Sequence, residues 1–301
     1  MDVLKLLTPV AQAHTIDKHK RIPALVRSAH AVIDRAISEY KLAGVWALFS
    51  GGHDSLVTTH VASQHPAFQG VIHIDTCTGI LDTEQFVRET CARYGWRLIV
   101  KQPVTRYEQL IVRYGFPGPA QHSMMYRYLK ERPLYQARKD ATALSSGRIG
   151  YVTGVRSLES ARRMGYVETI RKDKAGIWVA AVHNWSALDL QVYMRLNALP
   201  RNQVKQDTHM SGECLCSAFA KRDEDKMLGM FYPLALERIR RWETLVMQAR
   251  ELQIWEAENG YRAWDTVIPE TRTRWGWKTA VPHGQLELLP MCMTCSTGTG
   301  G

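Results

Sequence analysis

No run of apolar residues in this chain approaches the roughly 20 needed to cross a bilayer as a helix. The opening residues, Met1-Asp2-Val3-Leu4-Lys5, lack the charge and apolar layout of a signal peptide. The expectation is a cytoplasmic protein with no membrane partner. Cysteine is scarce, with six among 301 residues, and four of the six fall in two close pairs. In a chain without an export signal that pattern argues against disulfides and for metal or cluster ligation. Internal repeats and low-complexity tracts are absent beyond a short Ser-Thr-Gly tail. Two common nucleotide motifs are missing as well. The segment Ser50-Gly51-Gly52-His53-Asp54-Ser55 has neither the Gly-Lys-Ser/Thr ending of a P-loop nor the three-glycine spacing of a dinucleotide fold.

That segment nevertheless has the setting of a phosphate site. It follows the apolar run Val45-Trp46-Ala47-Leu48-Phe49 and opens the helix-like stretch Leu56-Val57-Thr58-Thr59-His60-Val61. A buried strand feeding a Gly-rich turn and a helix N-terminus presents backbone N–H groups and a helix dipole to an anion. Gly51 and Gly52 admit positive φ and leave room against the backbone, and Ser50 and Ser55 add hydroxyls. The plain alternative is an ordinary turn with Asp54 or Ser55 as a helix cap. A net charge of +10 and a pI near 9.4 favour polyanionic partners, either nucleic acid or phosphorylated small molecules.

The rest of the chain alternates strands and helices. Residues 1–42 read as a helical flank. Strands are expected at 45–49, 70–74, 97–100, 149–153 and 177–182, with helices between them and a mostly helical region at 105–148 broken by Pro117, Gly118 and Pro119. This spacing predicts an α/β fold with a doubly wound, mainly parallel, Rossmann-like sheet. Ligands of such sheets bind beyond the carboxyl ends of the strands, where Ser50, Asp75 and the Gly154-Val155-Arg156 segment fall. The alternation stops near 200. The expected organisation is therefore a flank at 1–42, a nucleotide-binding domain at 43–200, and a helical, cysteine-bearing region at 201–301.

Four segments in order resemble the phosphoadenylyl-sulfate reductase family of the PP-loop ATP pyrophosphatases, the adenine nucleotide alpha hydrolase superfamily. Ser50–Ser55 is similar to its Ser-Gly-Gly-x-Asp-Ser pyrophosphate loop, with His53 at the variable position where many relatives carry Lys. His73-Ile74-Asp75-Thr76 with Asp82-Thr83-Glu84 is similar to its Asp-Thr-Gly and Pro-Glu-Thr signature, Cys77 standing for the Gly. Thr153-Gly154-Val155-Arg156 with Glu159, Ser160 and Arg163 resembles its Gly-x-Arg-x-x-Glu-Ser-x-x-Arg element. His183-Asn184-Trp185-Ser186 with Leu199-Pro200-Arg201-Asn202 resembles its Trp-Ser and Leu-Pro-x-Asn segment.

The resemblance implies an enzyme acting on ATP or an adenylylated sulfate at the α-phosphate. The candidate nucleotide and phosphate ligands are Ser50, Gly51, Gly52, His53, Asp54, Ser55, Asp75, Gly154, Arg156 and Arg163. Of these, Asp54, Ser55, Asp75 and Arg156 are the candidate catalytic residues. Asp54 is suited to Mg²⁺ beside phosphate oxygens, Asp75 to nucleotide or metal, and the Arg156 and Arg163 guanidinium forks to phosphate or sulfate. The plainer readings are a turn-forming cap for Asp75 and a solvated basic face for the arginines.

Cys214-x-Cys216 and, after 75 intervening residues, Cys292-x-x-Cys295 supply four thiolates for a tetrahedral site. Zn²⁺ and a 4Fe–4S cluster both fit, and the Cys-x-Cys arm together with a resemblance to the iron–sulfur ATP pyrophosphatase of DNA phosphorothioation systems favours the cluster. Sulfate-reducing members use a C-terminal cysteine absent from the tail Cys295-Ser296-Thr297-Gly298-Thr299-Gly300-Gly301, so only Cys77 is left to act as a nucleophile in that alternative; otherwise it reads as a small apolar filler. Arg238, Arg240, Arg241 and Trp242, then Arg272, Arg274, Trp275, Trp277 and Lys278, interleave cations and aromatics. They suit nucleic acid, or equally a capped helix face over a packed core. The expected function is sulfur transfer with DNA or tRNA as candidate acceptor and a sulfur-donor protein as candidate partner. The alternatives are sulfonucleotide reduction and a non-catalytic nucleotide or nucleic-acid binding module.

Overall fold

The computed structural model describes residues 9–157, 168–173, 176–221 and 223–274, with side chains from 21 onward. A six-stranded sheet carries the first half of the chain. Its strands are β1 (Gly44–Leu48), β2 (Phe68–Ile74), β3 (Leu98–Lys101), β4 (Ile149–Val152), β5 (Ile170–Lys172) and β6 (Ile177–Val179), in the spatial order β3-β2-β1-β4-β6-β5. β1 pairs in parallel with β2 and β4, and β4 with β6. The sequence supports this arrangement because Val45, Trp46, Ala47, Tyr151 and Val152 are fully buried, as strands covered on both faces must be. Gly70 is dictated by packing, since a Cβ there would lie 2.7 Å from the Trp46 ring.

The expected α/β architecture holds, with two differences at its edge. The antiparallel edge strand β5, paired to β6, has no sequence signal because three residues ending in Arg171 and Lys172 show no alternation. β6 itself stops at Val179, three residues short of the expected end. His183 donates its backbone N–H to the Ala180 carbonyl, so the still-buried Ala180–Val182 form a turn.

Around the sheet run α1 (Pro9–Tyr40), α2 (His53–Ser63), α3 (Leu81–Arg93) and α4 (Tyr107–Tyr114). They are followed by α5 (His122–Tyr126), a π-helical turn (Arg127–Glu131), α6 (Arg132–Leu144) and α7 (Ala187–Leu196). After these come α8 (Gln203–Thr208), α9 (Glu224–Phe231) and α10 (Pro233–Glu258). α2 is buried nearly all round, Ser55, Thr58 and Thr59 as well as Leu56, Val57, Val61 and Ala62, as befits a helix enclosed by its neighbours. α7 starts at a capping box, in which Ser186 accepts from the Asp189 amide (3.1 Å) and Asp189 accepts from the Ser186 amide (2.8 Å).

Two compact units share the chain. The first comprises Met1–His73, Val87–Ile99 and Ala137–Asn202; the second comprises Ile74–Phe86, Val100–Gln136 and Gln203–Gly301. Neither is contiguous in sequence. The segment after β2 belongs with the C-terminal part because the two hydrogen-bond directly. Thr76 Oγ1 donates to the Glu213 carbonyl (2.8 Å), the Ile80 amide to Gly212 (2.7 Å), and the Leu215 amide to Thr78 (3.3 Å). The core of the second unit includes Tyr107, Ile111, Leu215, Cys216, Ile239 and Trp242.

Candidate functional site

In the first unit the chain leaves β1 for β2 on one side and later returns to place β4 on the other, so a switch point opens beyond the carboxyl ends of β1 and β4. Two segments meet there. Gly51, at φ +82°, takes the left-handed turn out of β1. Gly52, extended at φ −82° and ψ 161°, is the N-cap of α2 and offers no side-chain cap to its first turn, the setting in which helix N-termini receive anions.

Neither Asp54 nor Ser55 is the cap of α2, which corrects that part of the plain reading. Ser55 lies in the first turn and ties the loop together. Its Oγ donates to the Gly52 carbonyl (2.9 Å), accepts from the Ser50 amide (3.3 Å) and meets Ser50 Oγ at 3.1 Å. Asn202, 1% exposed, donates from Nδ2 to the Gly51 carbonyl (3.1 Å) and clamps the loop from beneath. In the sequence Asn202 is visible only as the last residue of Leu199-Pro200-Arg201-Asn202, which gives it no role.

The second segment explains its own sequence. A Cβ on Gly154 would stand 2.9 Å from the Asp54 carbonyl carbon and 3.0 Å from the Ser55 amide nitrogen. Only glycine lets the first turn of α2 approach this closely. Two residues on, Arg156 is buried at 9% exposure and donates from Nε to Asp54 Oδ1 at 2.5 Å. Ser50, Gly51, Gly52, His53, Asp54, Ser55, Gly154 and Arg156 are thus brought into one cradle. Arg163, Glu159 and Ser160 lie outside the described residues. Gly154→Ala is expected to cost about 1–3 kcal/mol by forced displacement and to weaken nucleotide binding at least tenfold; a thermal melt with a nucleotide titration checks both.

Asp75 belongs to the second unit. Its carboxylate accepts from the Cys77 amide (2.8 Å) and from Gln102 Nε2 (2.7 Å), and its amide donates to Lys101 O (3.0 Å). It therefore caps a turn through one oxygen while Gln102, a neighbour invisible to pattern reading, holds the other. Cys77 is exposed and sits at φ +58°, which corrects the apolar-filler reading and accounts for glycine at this position in the family pattern. Partial burial, then the Asp75, Glu84 and Glu108 carboxylates, push its thiol up to about 11. A thiol held protonated is a poor nucleophile at neutral pH. Alkylation of Cys77 by iodoacetamide at pH 7.5 is expected to run about 100-fold slower than that of a free cysteine with a thiol near 8.5, and to keep accelerating towards pH 11. Peptide mass mapping reads the rate.

Cys214 and Cys216 border one cavity of about 260 Å³ with Met210, Leu215, Phe219 and Met227. The Thr78 hydroxyl donates to Cys214 Sγ at 3.3 Å, and Tyr107 donates to the Cys216 carbonyl at 2.8 Å. Among the described residues no group of three or more His, Cys, Asp or Glu forms a metal site; Cys292 and Cys295 lie outside them.

The Arg–Trp cluster of α10 is corrected. Trp242 is 1% exposed in the core, donating to Glu108 (2.8 Å), and Arg238 turns inward onto the Thr78 and Gly79 carbonyls. Arg240 pairs with Asp225 and Glu243, Arg241 with Glu237, and Arg274 is buried among carboxylates. The phase of α10 turns Trp242 and Arg238 inward and leaves Arg240 and Arg241 in ion pairs, so among the described residues of the cluster no aromatic is open for stacking. Trp275, Trp277 and Lys278 lie outside the described residues.

Residues 44–214 match the phosphoadenosine phosphosulfate reductase domain, more than half the chain. The chain belongs to that family. Among solved structures, it is similar to phosphoadenylyl-sulfate reductase from Candida auris in its phosphate complex, with 20% identity, 62% of this chain and 90% of that chain covered, and a TM-score of 0.46. NH3-dependent NAD synthetase from Campylobacter jejuni aligns at 12% identity over 79% of this chain and 96% of that chain, TM-score 0.44. Candida glabrata FMN adenylyltransferase in complex with ATP aligns at 12% over 63% of this chain and 60% of that chain, TM-score 0.43. No curated protein matches. Among the described residues no helix of this family member is long and apolar enough to cross a membrane.

Proposed function

We propose that this protein binds ATP or an adenylylated sulfate in the Ser50–Ser55 cradle and cleaves it at the α-phosphate in a sulfur-transfer reaction. The observation that carries the reading is the Arg156–Asp54 pair at the first turn of α2, where a guanidinium and a carboxylate meet a helix N-terminus that has no side-chain cap. With ATP, a nucleophile on the acceptor attacks the α-phosphorus, the bond from that phosphorus to the α,β-bridging oxygen breaks, and pyrophosphate leaves with the electron pair. The loop amides, Ser50 and Ser55 hold that leaving group, and Arg156 offsets its negative charge.

Mg²⁺ suits this cradle, because a partly exposed Asp54 engages Arg156 through Oδ1 alone and this ion favours one or two carboxylates plus phosphate oxygens and water. When bound, it neutralises phosphate charge. The anaerobic test uses α-labelled ATP with candidate sulfur acceptors, resolving AMP or adenylylated acceptor from ADP. Label in ADP would refute α-phosphate cleavage.

The two thiols on one cavity, with an outer hydroxyl donor on Cys214, fit a thiolate-bound metal. In this reading Cys292 and Cys295 complete the set. Zinc would fix the loop, and an iron–sulfur cluster would also carry an electron. Sulfonucleotide reduction is disfavoured because of the two cysteines outside the thiolate set, Cys77 is held protonated and Cys91 is buried with its thiol pushed up to about 12. With the α10 part of the Arg–Trp cluster packed or ion-paired, the net charge of +10 is what still recommends DNA or tRNA as the acceptor to try.

A further inference from the structure

Strands β4, β6 and β5 set Tyr151, Trp178 and Arg171 side by side, Tyr151 opposite Trp178 and Trp178 opposite Arg171. The three side chains touch along the row. The Tyr151 and Trp178 ring centroids are 5.2 Å apart, and the Arg171 guanidinium carbon lies 5.8 Å from the Trp178 centroid. Each carries a donor that no acceptor meets: Tyr151 Oη, Trp178 Nε1 and Arg171 Nε are buried and have no hydrogen-bond partner among the described residues. One orphaned buried donor is costly, and three on cross-strand neighbours ask for one explanation.

A cavity beside the row supplies it. At the amino ends of β4 and β6, Arg138 of α6, Arg148, Lys172, Asp173 and Gly176 line a space of about 470 Å³. Gly176 lies against the hydroxyl-bearing half of the Tyr151 ring, since a Cβ there would stand 2.7 Å from Cε2 and 3.6 Å from Cζ. Arg138 and Asp173 are the charged groups that act on the Tyr151 phenol, and burial, the larger influence, pushes that phenol up. It is therefore a protonated donor at neutral pH. Three cations share the cavity with one carboxylate, and Asp173 is turned onto its own hairpin, accepting from the Gly176 amide (3.1 Å) and from Arg171 Nη2 (3.1 Å). Arg148 donates to the Tyr40 carbonyl (3.3 Å) and, like Lys172, has no carboxylate partner among the described residues. A space rich in cations and donors and poor in acceptors selects an oxyanion, and a phosphate group matches both its charge and its number of acceptor oxygens.

We propose that this cavity is a second phosphate site, at the opposite end of β4 from the Ser50–Ser55 cradle, in which Arg138, Arg148 and Lys172 offset the charge of a phosphate group and the Tyr151 hydroxyl donates to it. The phosphate is either free or part of a nucleic-acid backbone, and two probes separate these sources. The full chain, with Mg²⁺ and α,β-methylene ATP present to fill the cradle, is titrated calorimetrically with inorganic phosphate and, separately, with a short oligothymidylate lacking a terminal phosphate. Saturable binding is expected, weakened at least about tenfold by Tyr151→Phe and up to about fivefold by each of Arg148→Gln and Lys172→Gln. Tyr151→Phe deletes an orphaned hydroxyl, so without ligand it is expected to melt no lower than wild type, which separates a lost ligand contact from a lost fold. If that variant does not fold, the substitutions at the exposed Arg148 and Lys172 decide. Oligonucleotide binding with this dependence assigns the phosphate to a nucleic-acid backbone; binding of inorganic phosphate alone assigns it to a small ligand. Undiminished affinity for both probes in all the variants, or no binding of either probe to wild type, would overturn the site. Failure of the ATP analogue to bind would count against the cradle alone, because these residues lie outside it.

Discussion

Replacing Arg156 by Met is expected to lower kcat/KM for α-phosphate cleavage by about 10²–10³, the usual cost of removing one preorganised donor from a developing charge. Two effects add. The phosphates lose a guanidinium held in place by Asp54 at 2.5 Å, and the Asp54 carboxylate is left beside them without its cation. Asp54→Asn removes the repulsion and also the metal-binding charge, so it too is expected to be strongly impaired. The double variant should then be less impaired than the two single losses combined, because the residues act as a pair. Stability should move far less, by about 1 kcal/mol, since Asp54 is 36% exposed. Steady-state kinetics and a denaturant melt on the three variants separate the site effect from a folding effect.

The second large effect is expected at the cysteine loop. Changing Cys214 and Cys216 together to Ser should reduce bound zinc or iron from about one site per chain to near zero, and lower the Tm of the loaded protein by more than 10 °C, because metal-binding free energy is folding free energy in such sites. Cys216 is 4% exposed in the core, so part of the loss is the about 1–3 kcal/mol cost of a buried hydroxyl. Cys91→Ser, at 2% exposure, is the control, expected to lose comparable stability while keeping its metal. Elemental analysis and melting curves of the anaerobically purified variants distinguish the two contributions.

The sheet was legible in the sequence because parallel strands buried on both faces write themselves as near-continuous apolar runs, as Val45–Phe49 does and as Gly70–Ile74 does apart from His73. The cradle was legible because glycine at 51 and 154 answers a backbone demand visible in the motif: a left-handed turn at one, a close helix approach at the other. What stayed hidden depends on tertiary partners. Nothing local announces that Asn202 reaches Gly51, that Gln102 holds Asp75, or that Lys130 pairs with Glu213 and Arg274 reaches Ser217 on the two sides of Cys214 and Cys216. The Arg–Trp stretch of α10 stayed ambiguous for the same reason. Composition shows that cations and aromatics alternate, whereas the helix phase that buries Trp242 and pairs Arg240 is set by what the helix packs against.

The central claim is that adenine nucleotide binds at the Ser50–Ser55 loop and Arg156. Calorimetric titration of the full chain with Mg²⁺ and α,β-methylene ATP, which cannot be cleaved at the scissile position, tests it without needing the acceptor. The account predicts saturable 1:1 binding in wild type, weakened by about 30-fold or more in Arg156→Met and by at least about tenfold in Gly154→Ala. Undiminished affinity in both variants would contradict it.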